Sequence, residues 1–69
     1  MTRPKYPNPT AYTVTAYRPN GRPLISENAP TLSLAEYRAR EIRRDIRDSR
    51  GWTPRIEIVD DAGRVWPEP

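Results

Sequence analysis

Two short segments with the same turn chemistry flank a single helical period, and that spacing constrains the chain more than any other feature. Arg18-Pro19-Asn20-Gly21-Arg22 puts proline at the first turn corner and glycine at the left-handed position, the chemistry of a three-residue hairpin loop with a bulge. Asp60-Asp61-Ala62-Gly63-Arg64 has glycine and arginine at the corresponding places. Residues 11–17 (A-Y-T-V-T-A-Y) and 55–59 (R-I-E-I-V), which lead into these turns, are rich in β-branched and aromatic residues and read as strands. The likeness is one of turn chemistry, and the chain is too short to be called a repeat.

Residues 31–51 read as a helix signed at both ends. Ser33 and Glu36 have capping-box spacing and Leu32 and Tyr37 have the spacing of a hydrophobic staple, which predicts a start at Leu34. Gly51 is the stop, and Trp52 beyond it is placed to fold back on Ile46. Ala35, Ala39, Ile42 and Ile46 recur at spacings of four, three and four, one narrow apolar stripe on a charged cylinder. Such a helix covers a sheet from one side only.

Turn geometry then assigns strand residues to faces. With Pro19, Asn20 and Gly21 as the first loop, Arg18 is expected opposite Arg22, Tyr17 opposite Pro23, Ala16 opposite Leu24 and Thr15 opposite Ile25. In the second hairpin Asp60 faces Arg64, Val59 faces Val65 and Ile58 faces Trp66. Alternation collects Tyr12, Val14, Ala16, Leu24, Ile56, Ile58 and Trp66 on the side that receives the helix, the predicted core. The expected architecture is α+β: a four-stranded antiparallel sheet in ββαββ order, one amphipathic helix packed on one face, and the first strand beside the third. This domain spans residues 11–66. A proline-rich arm, residues 1–10 with Pro4, Tyr6, Pro7 and Pro9, is expected to be extended or disordered, and residues 67–69 form a tail.

Composition narrows the chemistry. A chain of 69 residues with no His and no Cys lacks the usual ligands of zinc, haem and iron–sulfur sites and the usual base of a hydrolytic triad. It also has no disulfide, at a length below the roughly 70–80 residues where one core becomes comfortable, so packing must stabilise it, with a second copy as the available help. Asp60 and Asp61 are adjacent at a turn, where side chains diverge and Asp commonly serves the turn itself. The glycines at 21, 51 and 63 all have structural duties, which leaves no phosphate loop or nucleophile elbow. The expectation is a non-enzymatic protein with no catalytic residue, cofactor, metal or small-molecule substrate. No apolar run of about 18 residues is present, and Met1-Thr2-Arg3-Pro4-Lys5 leads into prolines, so a cytoplasmic location without membrane contact is expected.

Two surfaces are candidates for binding. The face opposite the helix collects Thr13, Thr15, Tyr17, Ile25, Glu57, Val59 and Val65, with a single charge where a solvated strand face would alternate with Lys and Glu. Thr13, Thr15, Tyr17, Ile25, Val59 and Val65 therefore mark a protein-binding surface for a partner or for a second copy of the chain. The same residues are also what β-propensity alone selects, with the proline arm folding over them through Tyr6.

The second candidate is basic and would serve nucleic acid. Arg40, Arg44 and Arg47 form a ridge on the helix with Arg43 beside it, and Arg18 and Arg22 oppose one another as like charges at the first hairpin tip. Of 12 basic residues 11 are Arg, a bias that a GC-rich genome produces unaided. The ridge also reads as a solvated face laced by Glu36–Arg40 and Arg44–Asp48 pairs. Residues 31–51 hold six Arg against four acids, modest for a helix that inserts into a groove. Protein binding is thus the leading expectation and nucleic acid the alternative.

L-A-E-Y-R-A-R-E-I at residues 34–42 and I-E-I-V-D-D-A-G-R-V at residues 56–65 resemble short uncharacterised bacterial and phage proteins of hairpin-helix-hairpin pattern, over about half the chain. The resemblance implies the fold and no activity. A phage or accessory role would make a host protein, bound or inhibited, the natural partner.

Overall fold

The computed structural model describes residues 11–66. The arm at 1–10, including Tyr6, and the tail at 67–69 lie outside the described residues. Alternation of Tyr12, Val14 and Ala16 with Thr13, Thr15 and Tyr17 yields strand β1 (Tyr12–Tyr17), its first set buried and its second half-buried. Strand β2 (Pro23–Ala29) returns beside it, helix α1 (Leu32–Arg50) crosses behind, and β3 (Arg55–Asp60) and the two-residue β4 (Val65–Trp66) complete the sheet. All pairs are antiparallel and the order is β2-β1-β3-β4, with the first strand beside the third as the sequence predicts.

Both turns close as expected. Arg18 donates its N–H to the Arg22 carbonyl at 2.7 Å and Gly21 donates to the Arg18 carbonyl at 2.9 Å, with Gly21 at φ 90°. The Asp60–Arg64 and Gly63–Asp60 bonds repeat that pattern at 2.9 Å each, and Val59 pairs with Val65 and Ile58 with Trp66.

The first hairpin departs from the expected register one residue past its tip. Tyr17 pairs with Pro23, but Ala16 pairs with Ile25, leaving Leu24 as an extra residue in a β-bulge. A slip of one residue exchanges the faces of everything that follows. Without the bulge Ser26 and Asn28 would lie under the helix. With it Ile25, Glu27 and Ala29 face the helix in place of Leu24, Ser26 and Asn28, and Ser26 and Asn28 pair with Thr15 and Thr13 on the outside. The gain is that Ala29 takes the buried place opposite Tyr12 that polar Asn28 would hold, while Leu24 stays half-buried against the core beside Ile25. The bulge also carries Glu27, opposite Val14, to the helix side.

The helix begins two residues earlier than the predicted start at Leu34. Thr31, extended at φ −135° and ψ 159°, is the N-cap, and its hydroxyl accepts the Leu34 N–H at 3.1 Å. Ser33 is thereby inside the first turn, and Leu32 packs against the core from the first helical position. At the other end Gly51 adopts φ 83° and donates to the Arg47 carbonyl at 3.0 Å, while Trp52 turns back onto the core.

Ala35, Ala39, Ile42 and Ile46 are all buried, the stripe read from the sequence. They meet Tyr12, Val14, Ala16, Ala29, Ile56 and Ile58 of the sheet, with Val14 and Ile58 wholly enclosed. Leu24 and Trp66, predicted as core, pack against it half-buried. Among the described residues no helix is long and apolar enough to cross a membrane.

Candidate binding surfaces

The face opposite the helix is built in rows by the two registers around β1. Asn28, Thr13, Val59 and Val65 form one row, Ser26, Thr15 and Glu57 the next, and Pro23, Tyr17 and Arg55 the last. Thr13, Thr15, Tyr17, Val59 and Val65 stand where the sequence places them. Ile25 does not. The bulge turns it inward, half-buried against the core, and removes it from this surface.

Ser26, Asn28 and Arg55 take part instead, and they change its chemistry. Thr13 Oγ1 donates to Asn28 Oδ1 at 3.2 Å and Thr15 Oγ1 lies 3.3 Å from Ser26 Oγ. The Tyr17 hydroxyl donates to Glu57 at 3.2 Å, Arg55 donates to the other Glu57 oxygen at 3.0 Å, and the Arg55 guanidinium sits 4.2 Å from the Tyr17 ring centroid. The face is therefore less apolar than expected, but its polar side chains satisfy one another and its two charges cancel. Val59 and Val65 remain as its apolar centre, Val65 being 57% exposed. Ser26 and Asn28 were readable, since they alternate with Ile25, Glu27 and Ala29, but only by letting face polarity override the loop register.

The basic ridge of the helix is open in part. Arg40, Arg44 and Arg47 are exposed and Arg43 is half-buried. Of the expected lacing pairs neither Glu36–Arg40 nor Arg44–Asp48 forms. Arg44 lies 3.9 Å from Asp45, and Arg40 and Arg47 have no carboxylate partner among the described residues. The ion-pair centre is Arg38, which the sequence did not single out. Its guanidinium donates to Glu27 from Nε at 2.9 Å and from Nη2 at 2.6 Å, and to Glu41. The Tyr37 hydroxyl is the main reason Glu41 lies below the ordinary carboxylate pKa, with Arg38 adding to it and burial opposing.

The two hairpin tips differ as their charges imply. Arg18 and Arg22 are exposed, whereas Asp60 is buried and ion-paired to Arg64 at 3.3 Å. Asp60 Oδ1 accepts the N–H groups of Ala62 and Arg64 at 2.9 Å each, and Oδ2 accepts the Trp66 indole N–H at 3.0 Å. Burial pushes the Asp60 carboxyl upward, and the bonds from Arg64, Trp66 and Ala62 outweigh it, so its pKa lies below the usual value. Trp66 in turn meets Tyr12 edge to face at 6.4 Å and takes the Arg64 guanidinium 5.2 Å from its ring centroid. This carboxylate is the knot that holds the short β4 in place.

No protein-family model matches the chain, and no curated protein or solved structure matches it significantly.

Proposed function

We propose that this protein is a non-enzymatic binding module whose sheet face, opposite the helix, docks on protein, and that the occupant is a second copy of the chain. One observation carries the reading. Val59 and Val65 lie side by side on the outer face, within a surface whose polar side chains are each hydrogen-bonded to a neighbour. Burying a polar group is costly when it loses water without gaining a partner. Thr13, Thr15, Tyr17, Ser26, Asn28, Arg55 and Glu57 each have one such partner already, which lowers the cost of dehydrating this face.

Two further features favour a copy of the same chain. The face carries one positive and one negative group, Arg55 and Glu57, paired at 3.0 Å, so two copies meet without repulsion although the whole chain carries a net charge of +3. Among the described residues four of the ten buried hydrophobic side chains are alanines, which makes a small core that gains from added burial. Strand addition is the poorer route. The β2 edge carries Pro23, a bulge and the inward charge of Glu27, devices that blunt edge pairing, and β4 is two residues long.

Sedimentation across a dilution series tests this, comparing the parent with Val65→Lys. Fully burying a valine is worth roughly 1.5–3 kcal/mol, so the charge should weaken the dimer at least about tenfold. A parent chain that stays monomeric at every concentration overturns the reading, as does a Val65→Lys variant that dimerises like the parent.

A further inference from the structure

The fold gathers arginines at one end of the molecule that no single segment of the sequence brings together. Tyr17, the last residue of β1, pairs with Arg55, the first of β3, so the Arg18–Arg22 tip stands where β3 begins. The helix ends at Arg50, with only four residues between it and Arg55, at this same end. Arg18, Arg22, Arg47, Arg50 and Arg55 thus share one pole, where Asp48 and Glu57 are carboxylates among the described residues, and Glu57 is engaged by Arg55 and Tyr17. The other end of the sheet has the opposite character, with Asp60 neutralising Arg64.

Local structure explains some of these residues. Arg47 and Arg50 lie in the last helical turn, where a cation is favoured by the helix dipole. Arg55 has its carboxylate and its ring. Arg18 and Arg22 have neither: they are backbone-paired neighbours at 2.7 Å, exposed, and without a carboxylate partner among the described residues. Like charges opposed across two strands cost energy in isolation, and an anion between or above them reverses the sign.

We infer that this pole grips the phosphate backbone of a nucleic acid, with Arg18 and Arg22 as the primary contacts and Arg47 and Arg50 flanking them. The guanidinium fork matches two phosphate oxygens at once, and phosphates repeated along a polymer suit arginines spread over a hairpin tip and a helix end. A convex tip of this kind holds the backbone and reads no base edges, so binding is independent of sequence. The contact uses different residues from the Val59–Val65 centre, and neither proposal depends on the other.

Fluorescence anisotropy with a labelled DNA duplex, on the full chain at low and moderate salt, tests the inference. Two double variants that remove equal charge are compared, Arg18→Ala with Arg22→Ala and Arg40→Ala with Arg44→Ala, each checked for its fold by circular dichroism. The parent should bind more weakly as salt rises. Losing two phosphate contacts should lower the slope of log K against log salt by about 1.8 and weaken binding roughly tenfold at low salt. The mid-helix pair should produce a clearly smaller loss. Equal losses in the two variants overturn the inference, as does an absence of salt-dependent binding at tens of micromolar, on the order of weak nonspecific affinity. Polyglutamate binding as tightly as the duplex overturns it too, because the pole would then be a site for an acidic protein.

Discussion

Glu27 of β2 and Arg38 of the helix meet at 2.6 Å on the covered side of the sheet, an ion pair at a position where the alternation would otherwise bury an apolar side chain. The bulge at Leu24 makes this necessary, since the register that turns Ile25 and Ala29 inward turns Glu27 inward with them. Arg38 supplies two hydrogen bonds to Glu27 and joins it to Glu41. The pair is therefore a condition of the register. In a double-mutant cycle measured by urea denaturation, Glu27→Ala and Arg38→Ala should couple, the double variant losing less than the sum of the single losses. Strict additivity would mean that the contact contributes nothing to the fold.

The helix N-terminus offers two hydroxyls two residues apart, and only one caps. Thr31 accepts the Leu34 N–H, so Thr31→Ala should cost about 1 kcal/mol, within the 0.5–2 kcal/mol that such caps are worth. Ser33 is exposed within the first turn, and Ser33→Ala should stay within about 0.5 kcal/mol of the parent. Thermal or urea unfolding of the two variants measures both, and the reverse ranking would restore Ser33 as the cap.

Asp60 makes stability depend on acid. Its carboxyl is held below the ordinary value when folded, so the folded state takes up this proton less readily than the unfolded one. The stabilisation is complete above the unfolded pKa, near 3.9, and is lost as pH falls below that value through the folded pKa. Glu41, also depressed, adds a loss of the same sign in a neighbouring window. Asp60→Asn should lower the urea midpoint at pH 7, because an amide nitrogen in place of Oδ2 cannot accept from the Trp66 indole or the Arg64 guanidinium. It should also flatten the fall of that midpoint between pH 5 and pH 2 without abolishing it, Glu41 being intact. Parallel acid limbs for parent and variant would remove Asp60 from this role.

What could be read from residue order alone divides along the range of the forces involved. The stripe from Ala35 to Ile46, the stop at Gly51 and both glycine turns follow from local periodicity and from positive φ, and all stand in the fold. The second hairpin could be aligned from its loop because Ile58 and Val59 meet Trp66 and Val65 with no bulge between. The first could not. Its register is decided by a comparison of faces, Ile25, Glu27 and Ala29 against Leu24, Ser26 and Asn28, and that comparison includes Arg38 on the helix as the partner of Glu27. The outer surface inherits the difference: losing Ile25 and gaining Ser26 and Asn28 makes it a hydrogen-bonded face with a small valine centre. The basic pole is equally non-local, since Arg22 and Arg50 are distant in sequence and share an end only once the helix has packed.

Deleting Leu24 separates two causes for the bulge. If the choice of faces imposes it, the deletion removes the extra residue and Ile25 continues the ladder directly after Pro23. The variant then folds with Thr15 still opposite Ser26 and Val14 still opposite Glu27, and loses part of the roughly 1.5–3 kcal/mol that a fully buried leucine is worth, because Leu24 is half-buried. If the geometry of the turn or the ring of Pro23 imposes it, a bulge re-forms at Ile25, Thr15 comes to face Glu27, and Ser26 and Asn28 are driven under the helix. Cross-strand NOEs distinguish the pairings. The first outcome is expected, because the turn bonds of Arg18, Gly21 and Arg22 are complete before β2 reaches Leu24.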